Sequence, residues 1–376
     1  MVLTLAIRNL FHDKVRLAVT LVGILFSVVL VAVQLGLYFG ARKMIVDMIH
    51  NAQGELWVTS FGAKSFEEGG LLLTPRHRHG ALAVPGVVAA APLLVHFGEW
   101  RKPAGGSTTS ILVGTNAQDN ALNPWNLVAG DINSMEAPNG VAVDKSYLAD
   151  LGVKGIGDLA QFERGRVRVT AITEGIRSFT MAPYIFTTLS RARGLLGLQG
   201  ENFSYLLIKL APDANIETVR SALKSRLPDQ EILTTAEFRD RNLDQWLYST
   251  GAGVALIGGA LLGLLVGTVI VAQTLYSSTK DHLNEFATLR ALGSTASYIH
   301  RVILMQAAFS AILGYVLGMA IAMGITALST HTALPIVMSP GLALFLFAVT
   351  VAMCAVSAIS AIVKVTKIDP AMVFSR

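Results

Sequence analysis

Three stretches of this chain carry no Asp, Glu, Lys or Arg: 25 residues between Arg16 and Arg42, 35 between Asp244 and Lys280, and 62 between Arg301 and Lys364. A membrane-crossing helix needs roughly 20 mostly apolar residues in a row. The first two gaps therefore hold one span each. The third, broken by His331, Pro335 and Pro340, holds two. Four transmembrane helices are predicted, at 17–40, 250–277, 302–328 and 341–363. Composition agrees, since only 15% of the 376 residues are charged, against about 25% in a soluble globular chain. Arg8, Lys14 and Arg16 precede the first span as they would in a secretory signal. A signal core, however, is about 7–15 residues long before a small-residue cleavage site. This run continues through Leu35, Leu37, Tyr38 and Phe39 with no A-x-A at its end, which predicts an uncleaved anchor.

Charge placement sets the expected topology. The segments 1–16, 278–301 and 364–376 hold nine Lys or Arg and four acids, while 41–249 is balanced at 21 of each. The whole net charge of +5 thus lies on those three segments, and positive segments stay in the cytoplasm. The prediction is a cytoplasmic amphipathic segment 1–16, span one at 17–40 and a periplasmic α/β domain with a helical stalk at 41–249. Span two at 250–277, a cytoplasmic coupling loop and helix at 278–301, and span three at 302–328 follow. A short periplasmic loop at 329–340, span four at 341–363 and a cytoplasmic tail at 364–376 complete the chain. On this reading the positive balance is topological and implies no nucleic-acid binding.

Within 41–249, short β-rich runs recur at Glu55–Phe61, Ser110–Val113, Val141–Val143, Arg166–Ile172, Tyr184–Thr188 and Tyr205–Leu210, separated by Gly, Pro and Asn turn signals. A strand at Tyr205–Leu210, a helix at Glu217–Arg226 with Val219, Leu223 and Leu227 on one face, and a strand at Glu231–Thr235 read as a β-α-β unit. A helical stretch from Ala236 to Trp246 leads on toward span two and predicts a continuous stalk. The expected fold is an α-helical membrane protein of four spans with a large mixed α/β extracytoplasmic domain between the first and second. The single cysteine, Cys354, lies in span four, so that domain holds no disulfide and depends on its own core.

No enzymatic constellation appears. Arg76-His77-Arg78-His79 sets two histidines at i, i+2, one face of a strand, but a metal needs three or four converging ligands, and a solvated basic loop is the favoured reading. No G-x-S-x-G, H-E-x-x-H or G-x-x-x-x-G-K-[ST] occurs, so catalytic, cofactor and metal residues are none, and any ATP and Mg belong to a separate subunit. The spans contain no Asp, Glu, Lys or Arg; Gln34, Gln273 and Gln306 are their strongly polar residues. Proton-coupled carriers and ion channels ordinarily place ionisable groups there, which argues against both. Small residues repeat instead, at Gly259, Gly263 and Gly267 on span two and at Gly314 and Gly318 on span three. Such spacing lets helix backbones approach closely, either within the four-helix unit or at a seam between subunits.

In the loop 278–301, Leu283, Phe286, Leu289 and Leu292 recur at helical spacing and Gly293 is a natural stop. Ser294 or Thr295 is placed to cap the next helix. The residues alone predict a short amphipathic helix offering an apolar ridge to lipid or to another protein.

The run Glu285-Phe286-Ala287-Thr288-Leu289-Arg290-Ala291-Leu292-Gly293 resembles the E-x-[AG]-x-L-[RK]-A-[ML]-G signature of MacB/FtsX-type (type VII) ABC transporter permeases. The order of one span, a large external domain and three more spans is similar to that family's. The segment 266–293, with Asn9-Leu10, Arg16-Leu17 and Gly23-Ile24, most resembles the DevC branch of exporter permeases, and Lys367-Ile368-Asp369-Pro370-Ala371 is similar to the family's terminal motif. His282 and Phe286 depart from the usual loop. The resemblance implies a homodimer of permeases bound to two cytoplasmic ABC ATPase subunits, with Leu283, Glu285, Phe286, Leu289, Arg290 and Gly293 forming the coupling contact. It further implies a HlyD-like periplasmic adaptor, an outer-membrane channel, a Gram-negative inner membrane, and a lipid or other hydrophobic cargo. Two other outcomes stay open: an FtsX-like regulator of a periplasmic cell-wall hydrolase, and a Lol-type lipoprotein-releasing permease.

The topology is checked with single cysteines in a Cys354→Ser background. An impermeant reagent applied to intact spheroplasts is expected to spare Asn284→Cys; its labelling there overturns the orientation.

Overall fold

The structure is a computed structural model, and it describes residues 2–329, 332 and 334–366; His331 and the stretch Lys367 to Ala371 lie outside the described residues. In chain order the helices are α1 (Val2–His12), α2 (Lys14–His50), α3 (Pro75–Leu82), α4 (Leu148–Leu151), α5 (Leu189–Leu196), α6 (Ile216–Arg226), α7 (Thr235–Leu243), α8 (Ala252–Asp281), α9 (Leu283–Ala291), α10 (Ala296–Ser329) and α11 (Pro340–Thr366). The strands are β1 (Leu56–Ser60), β2 (Val87–Arg101), β3 (Ser107–Thr115), β4 (Leu127–Ala129), β5 (Gly140–Asp144), β6 (Leu159–Phe162), β7 (Gly165–Thr173), β8 (Tyr184–Thr188), β9 (Tyr205–Leu210) and β10 (Gln230–Thr234). Two compact units result, one gathering the described residues of 1–40, 254–330 and 335–376, the other those of 41–253 with 331–334.

Four helices of the described chain, α2, α8, α10 and α11, are long and apolar enough to cross a membrane. Asp13 separates α1 from α2: its Oδ1 accepts the backbone N–H of Arg16 at 3.1 Å, the bond of an N-cap residue. The 37 residues of α2 span about 55 Å at 1.5 Å each, well beyond a hydrocarbon core of about 30 Å. The helix passes Gly40 and takes in Arg42, Lys43 and Asp47.

Within the membrane unit the spaced glycines of α8 and α10 all face α2. A Cβ on Gly259 would stand 2.7 Å from the Gln34 amide, one on Gly263 3.0 Å from Leu30, and one on Gly267 2.5 Å from Ser27. On α10, a Cβ at Gly314 would lie 2.5 Å from Ile24 and one at Gly318 2.9 Å from Val28. The Ser27 hydroxyl donates to the Gly263 carbonyl at 2.9 Å, and Ser357 of α11 donates to the Thr268 carbonyl of α8 at 2.9 Å. Lipid offers no hydrophobic drive between helices, so this close approach and these bonds are what hold them together.

The α/β unit is built on one sheet in the order β10-β1-β9-β2-β3-β8-β5-β7-β4, with β6 pairing β2 and β7. Its spine is β2. Residues Val87–Leu93 pair with β9 and Leu94–Arg101 pair with β3, so one strand serves both halves of the sheet. The expected β-α-β unit is present as β9, α6 and β10. Between its strands lies β1, antiparallel to both, so β9 and β10 run parallel and α6 is their crossover. Side chains of β1 alternate between two cores. Leu56 and Val58 join Val219 and Leu223 of α6; Trp57 turns the other way, onto Phe66, Tyr205 and Phe238. The far half holds a third core around Trp100, Tyr147, Phe162 and Ile185. The open edge of β10 is guarded by Arg220, whose Nε donates to the Ile232 carbonyl at 3.2 Å, blocking further strand pairing.

Two sequence expectations are corrected. Arg76–His79 lies in α3, neither loop nor strand, because Pro75 suits the first helical turn and Thr74 stands as its N-cap residue. The stalk is not a continuous helix. After α7, capped by Thr234 and Glu237, the chain runs through a π-helical turn at Asp244–Ser249 and breaks at Gly251, φ +78°.

The glycine contacts predict an asymmetry on α10. Gly314→Val should lower the thermal midpoint of the detergent-solubilised protein by the equivalent of about 1–3 kcal/mol, the ordinary cost of overpacking. Gly324, which has nothing within 4 Å of a Cβ, should accept valine with little change. Equal midpoints for the two variants would refute the packing.

Candidate coupling site

The helix α9 is defined by its ends. Helix α8 stops at Asp281, His282 forms a single-residue turn, and the Phe286 N–H bonds back to the His282 carbonyl at 3.0 Å. At the other end Gly293 N–H reaches the Arg290 carbonyl at 3.0 Å and Ser294 N–H the Leu289 carbonyl at 3.0 Å. This is the paired bonding of a Schellman stop. It needs the left-handed φ of +93° that Gly293 adopts; a Cβ there would meet nothing within 4 Å, so backbone conformation and not space selects glycine. Thr295 then caps α10, its Oγ1 accepting the Tyr298 N–H at 3.3 Å.

The expected apolar ridge is divided. Phe286 is 2% exposed and packs with Val271, Leu275, Ile299 and Ile303 of the flanking spans, with Leu289 beside it. Leu292 faces the opposite way and is 79% exposed; Leu283 is half-buried. The reason is helical geometry. Steps of three residues fall short of a full turn by about 60°, so Leu283 and Leu292, three such steps apart, end on opposite sides. The outward stripe is Glu285, Thr288, Ala291 and Leu292. Glu285 is tied at 3.1 Å to the Nδ1 of His282, and Arg290 is half-buried. The glycines Gly259, Gly263, Gly267, Gly314 and Gly318 lie on the α2-facing sides of α8 and α10, away from this stripe's surface role.

In the α/β unit no group of three or more His, Cys, Asp or Glu able to hold a metal occurs among the described residues. In α3, His77 Nδ1 accepts the Thr74 N–H at 2.9 Å, and Arg78 Nε donates to the Ala90 carbonyl at 2.9 Å. Sequence reasoning missed Glu67. Its carboxyl is buried, with Oε1 accepting from Tyr184 Oη at 2.6 Å and Ser178 Oγ at 2.7 Å, while Oε2 has no partner among the described residues. Burial raises its pKa above the usual carboxylate range, outweighing the two hydrogen bonds. Nothing in Ser65-Phe66-Glu67-Glu68 distinguishes the inward acid from its exposed neighbour, so only the tertiary fold identifies it.

The family comparisons agree with this architecture. A MacB-like periplasmic core domain matches residues 17–226, and an FtsX-like permease C-terminal domain matches residues 257–370. An uncharacterized ABC transporter permease from Methanocaldococcus jannaschii is 24% identical over 168 residues, covering 44% of this chain and 42% of that relative. The match thus spans less than half of the relative's length. Among solved structures, the periplasmic region of MacB from Actinobacillus actinomycetemcomitans is 14% identical with a TM-score of 0.38, covering 52% of this chain and 96% of that one. The extracellular domain of the noncanonic ABC-type transporter YknZ from Gram-positive bacteria is 13% identical with a TM-score of 0.35, covering 48% and 98%.

The buried acid gives a pH prediction. A carboxyl whose pKa is raised on folding stabilises the fold fully below its unfolded value, and that contribution is lost as pH rises through the folded value. Glu67→Gln keeps an acceptor for Tyr184 and Ser178 without a titrating charge, so its thermal midpoint should gain on wild type as pH goes from 4.5 to 8. A difference that does not change with pH would show that Glu67 titrates alike in the folded and unfolded chain, and so is not buried as described.

An α-helical membrane unit, a mixed α/β domain inserted after its first span, and matches over both parts lead to one conclusion: the chain belongs to the MacB/FtsX-type family of ABC transporter permeases.

Proposed function

We propose that this chain is the membrane subunit of an ABC machine in which a separate ATPase docks on the outward stripe of α9 and drives movement of the α/β domain. The observation that carries the reading is the two-sided build of α9. Phe286 anchors it into the helix bundle, while Glu285, Thr288 and Leu292 stand exposed on a rigid, capped element. Seated in this way, a push on the stripe is delivered to α8 and α10 and not absorbed by a loose loop. The ATP and Mg chemistry belongs to two copies of the ATPase, and the permease acts as a homodimer. The DevC-like features at Asn9-Leu10, Arg16-Leu17 and 266–293 support the narrower proposal. In it the machine sits in a Gram-negative inner membrane and exports a lipid or other hydrophobic cargo, with a HlyD-like adaptor and an outer-membrane channel.

The buried position of Phe286 decides which variant tests coupling. Phe286→Asp would place a charge in the bundle core and unfold the site instead of probing it. Leu292→Asp leaves the bundle untouched. Sequestering Leu292 on docking is worth about 1.5–3 kcal/mol, so Leu292→Asp should weaken ATPase binding at least about tenfold while the protein inserts and dimerises normally. Co-purification and stimulated hydrolysis with the cognate ATPase, both at wild-type level in Leu292→Asp, would overturn the docking surface. Lipid analysis of a deletion strain tests the export proposal separately.

A further inference from the structure

Two helix junctions meet at one end of the membrane unit. One is the break between α1 and α2 at Asp13; the other is the turn at His282 between α8 and α9. Arg16 joins them. Its Nη2 lies 2.5 Å from Asp281 Oδ2 and 3.5 Å from Asp13 Oδ2, and its own N–H is held by Asp13 Oδ1 at 3.1 Å. Arg16 is the better buried of the ion pair, its side chain 24% exposed against 56% for Asp281. The acid is badly placed for its own helix. Asp281 is the last residue of α8, where the partial negative charge of the helix end disfavours a carboxylate. A planar guanidinium touching two carboxylates offsets that cost and fixes direction, as a lysine point charge does not. Beside the ion pair, the rings of His12 and His282 stand 6.3 Å apart edge to face, and His282 in turn faces Phe286 at 6.4 Å and Glu285 at 3.1 Å. The first turn of α9 is therefore held by the bundle through Phe286 and by the α1–α2 junction through Asp281 and His282.

We propose that Arg16 is a positioning residue for α9, tying the α1–α2 junction to the α8–α9 junction so that α1 and the coupling helix move as one body. The inference rests on the coupling role given to α9 above, and it extends the moving element to α1, which carries the exposed Ile7 and Phe11. Arg16 touches both Asp13 and Asp281, and the residues next to those acids in the chain, His12 and His282, meet edge to face, with His282 also bound to Glu285, so the tether is more than a lone contact.

Hydrogen exchange on the full-length protein in lipid nanodiscs tests it without any ATPase, so its outcome is independent of the docking surface. In Arg16→Gln and in Asp281→Asn, amides of 283–291 are expected to exchange about three- to fivefold faster, the scale of one partly exposed ion pair. The double variant should be no faster than either single one, because the second removal has nothing left to break. Asp281→Glu should stay near wild type, and α10 and α11 should be unchanged in all four. Unchanged α9 exchange in the single variants, additive acceleration in the double, or equal acceleration across α10 and α11 each overturns the proposal. With the cognate ATPase added, Arg16→Gln should bind it as wild type does and lose about threefold in stimulated hydrolysis. Unaltered hydrolysis beside faster α9 exchange would refute the positioning role.

Discussion

The membrane unit depends on how closely other helices approach one face of α2, from Ile24 to Gln34. Lipid tails are as apolar as leucine, so spans gain nothing by merely hiding apolar surface from one another. What they gain is contact, and contact requires that something be small. Glycine supplies this on α8 and α10, where a single added methyl group would stand within 2.5–3.0 Å of an α2 side chain. Ser27 adds a hydrogen bond to a backbone carbonyl that close approach makes reachable. Because α9 lies between α8 and α10, its place is inherited from this packing. Phe286 belongs to the same buried cluster as Ile24 and Val28 of α2, so the seat of α9 is part of the packing around α2.

The two stretches of chain that pass from one unit to the other differ in helical regularity. Helix α2 is uninterrupted from Lys14 to His50, and its last residues, Met48 and Ile49, are core residues of the α/β unit beside Trp57 and Phe238. The return path through α7 is interrupted by the π-helical turn at Asp244–Ser249 and by Gly251 in the left-handed region. A π-helical turn within a helical run is a frequent site of functional adjustment.

Much of this was legible in the residues, and the failures share a cause. Spans were readable because charge exclusion acts on whole segments, and α6 because Val219, Leu223 and Leu227 repeat at helical spacing. The longest strand, β2, was not. Its Ala89-Ala90-Ala91-Pro92 run offers neither alternation nor β-branched residues, and Pro92 reads as a break. In the fold Pro92 stands beside the point where β2 leaves β9 for β3. The α9 ridge failed for a different reason: periodicity by threes marks a helix but does not mark one face of it. Arg16 and Asp281 are separated by 265 residues, and no local pattern announces a pair formed only when two helix junctions meet.

The buried polar cluster of the α/β unit shows why composition alone misleads about chemistry. An acid, a serine and two tyrosines within hydrogen-bond reach would suit a proton-transfer site if a substrate could enter. Here Glu67, Ser178, Tyr184 and Tyr147 are 4%, 0%, 2% and 1% exposed. Ser178 Oγ spends its proton on Glu67, and its backbone N–H is held by Tyr147 Oη at 3.3 Å. A reacting group must face a pocket as well as its base, and these groups face one another. Their bonds join the loop after β1 to the segment that leads into β8, which is the work of a structural fastening. The raised pKa of Glu67 then follows from burial, and a perturbed acid in this place is a measure of packing, not a sign of catalysis.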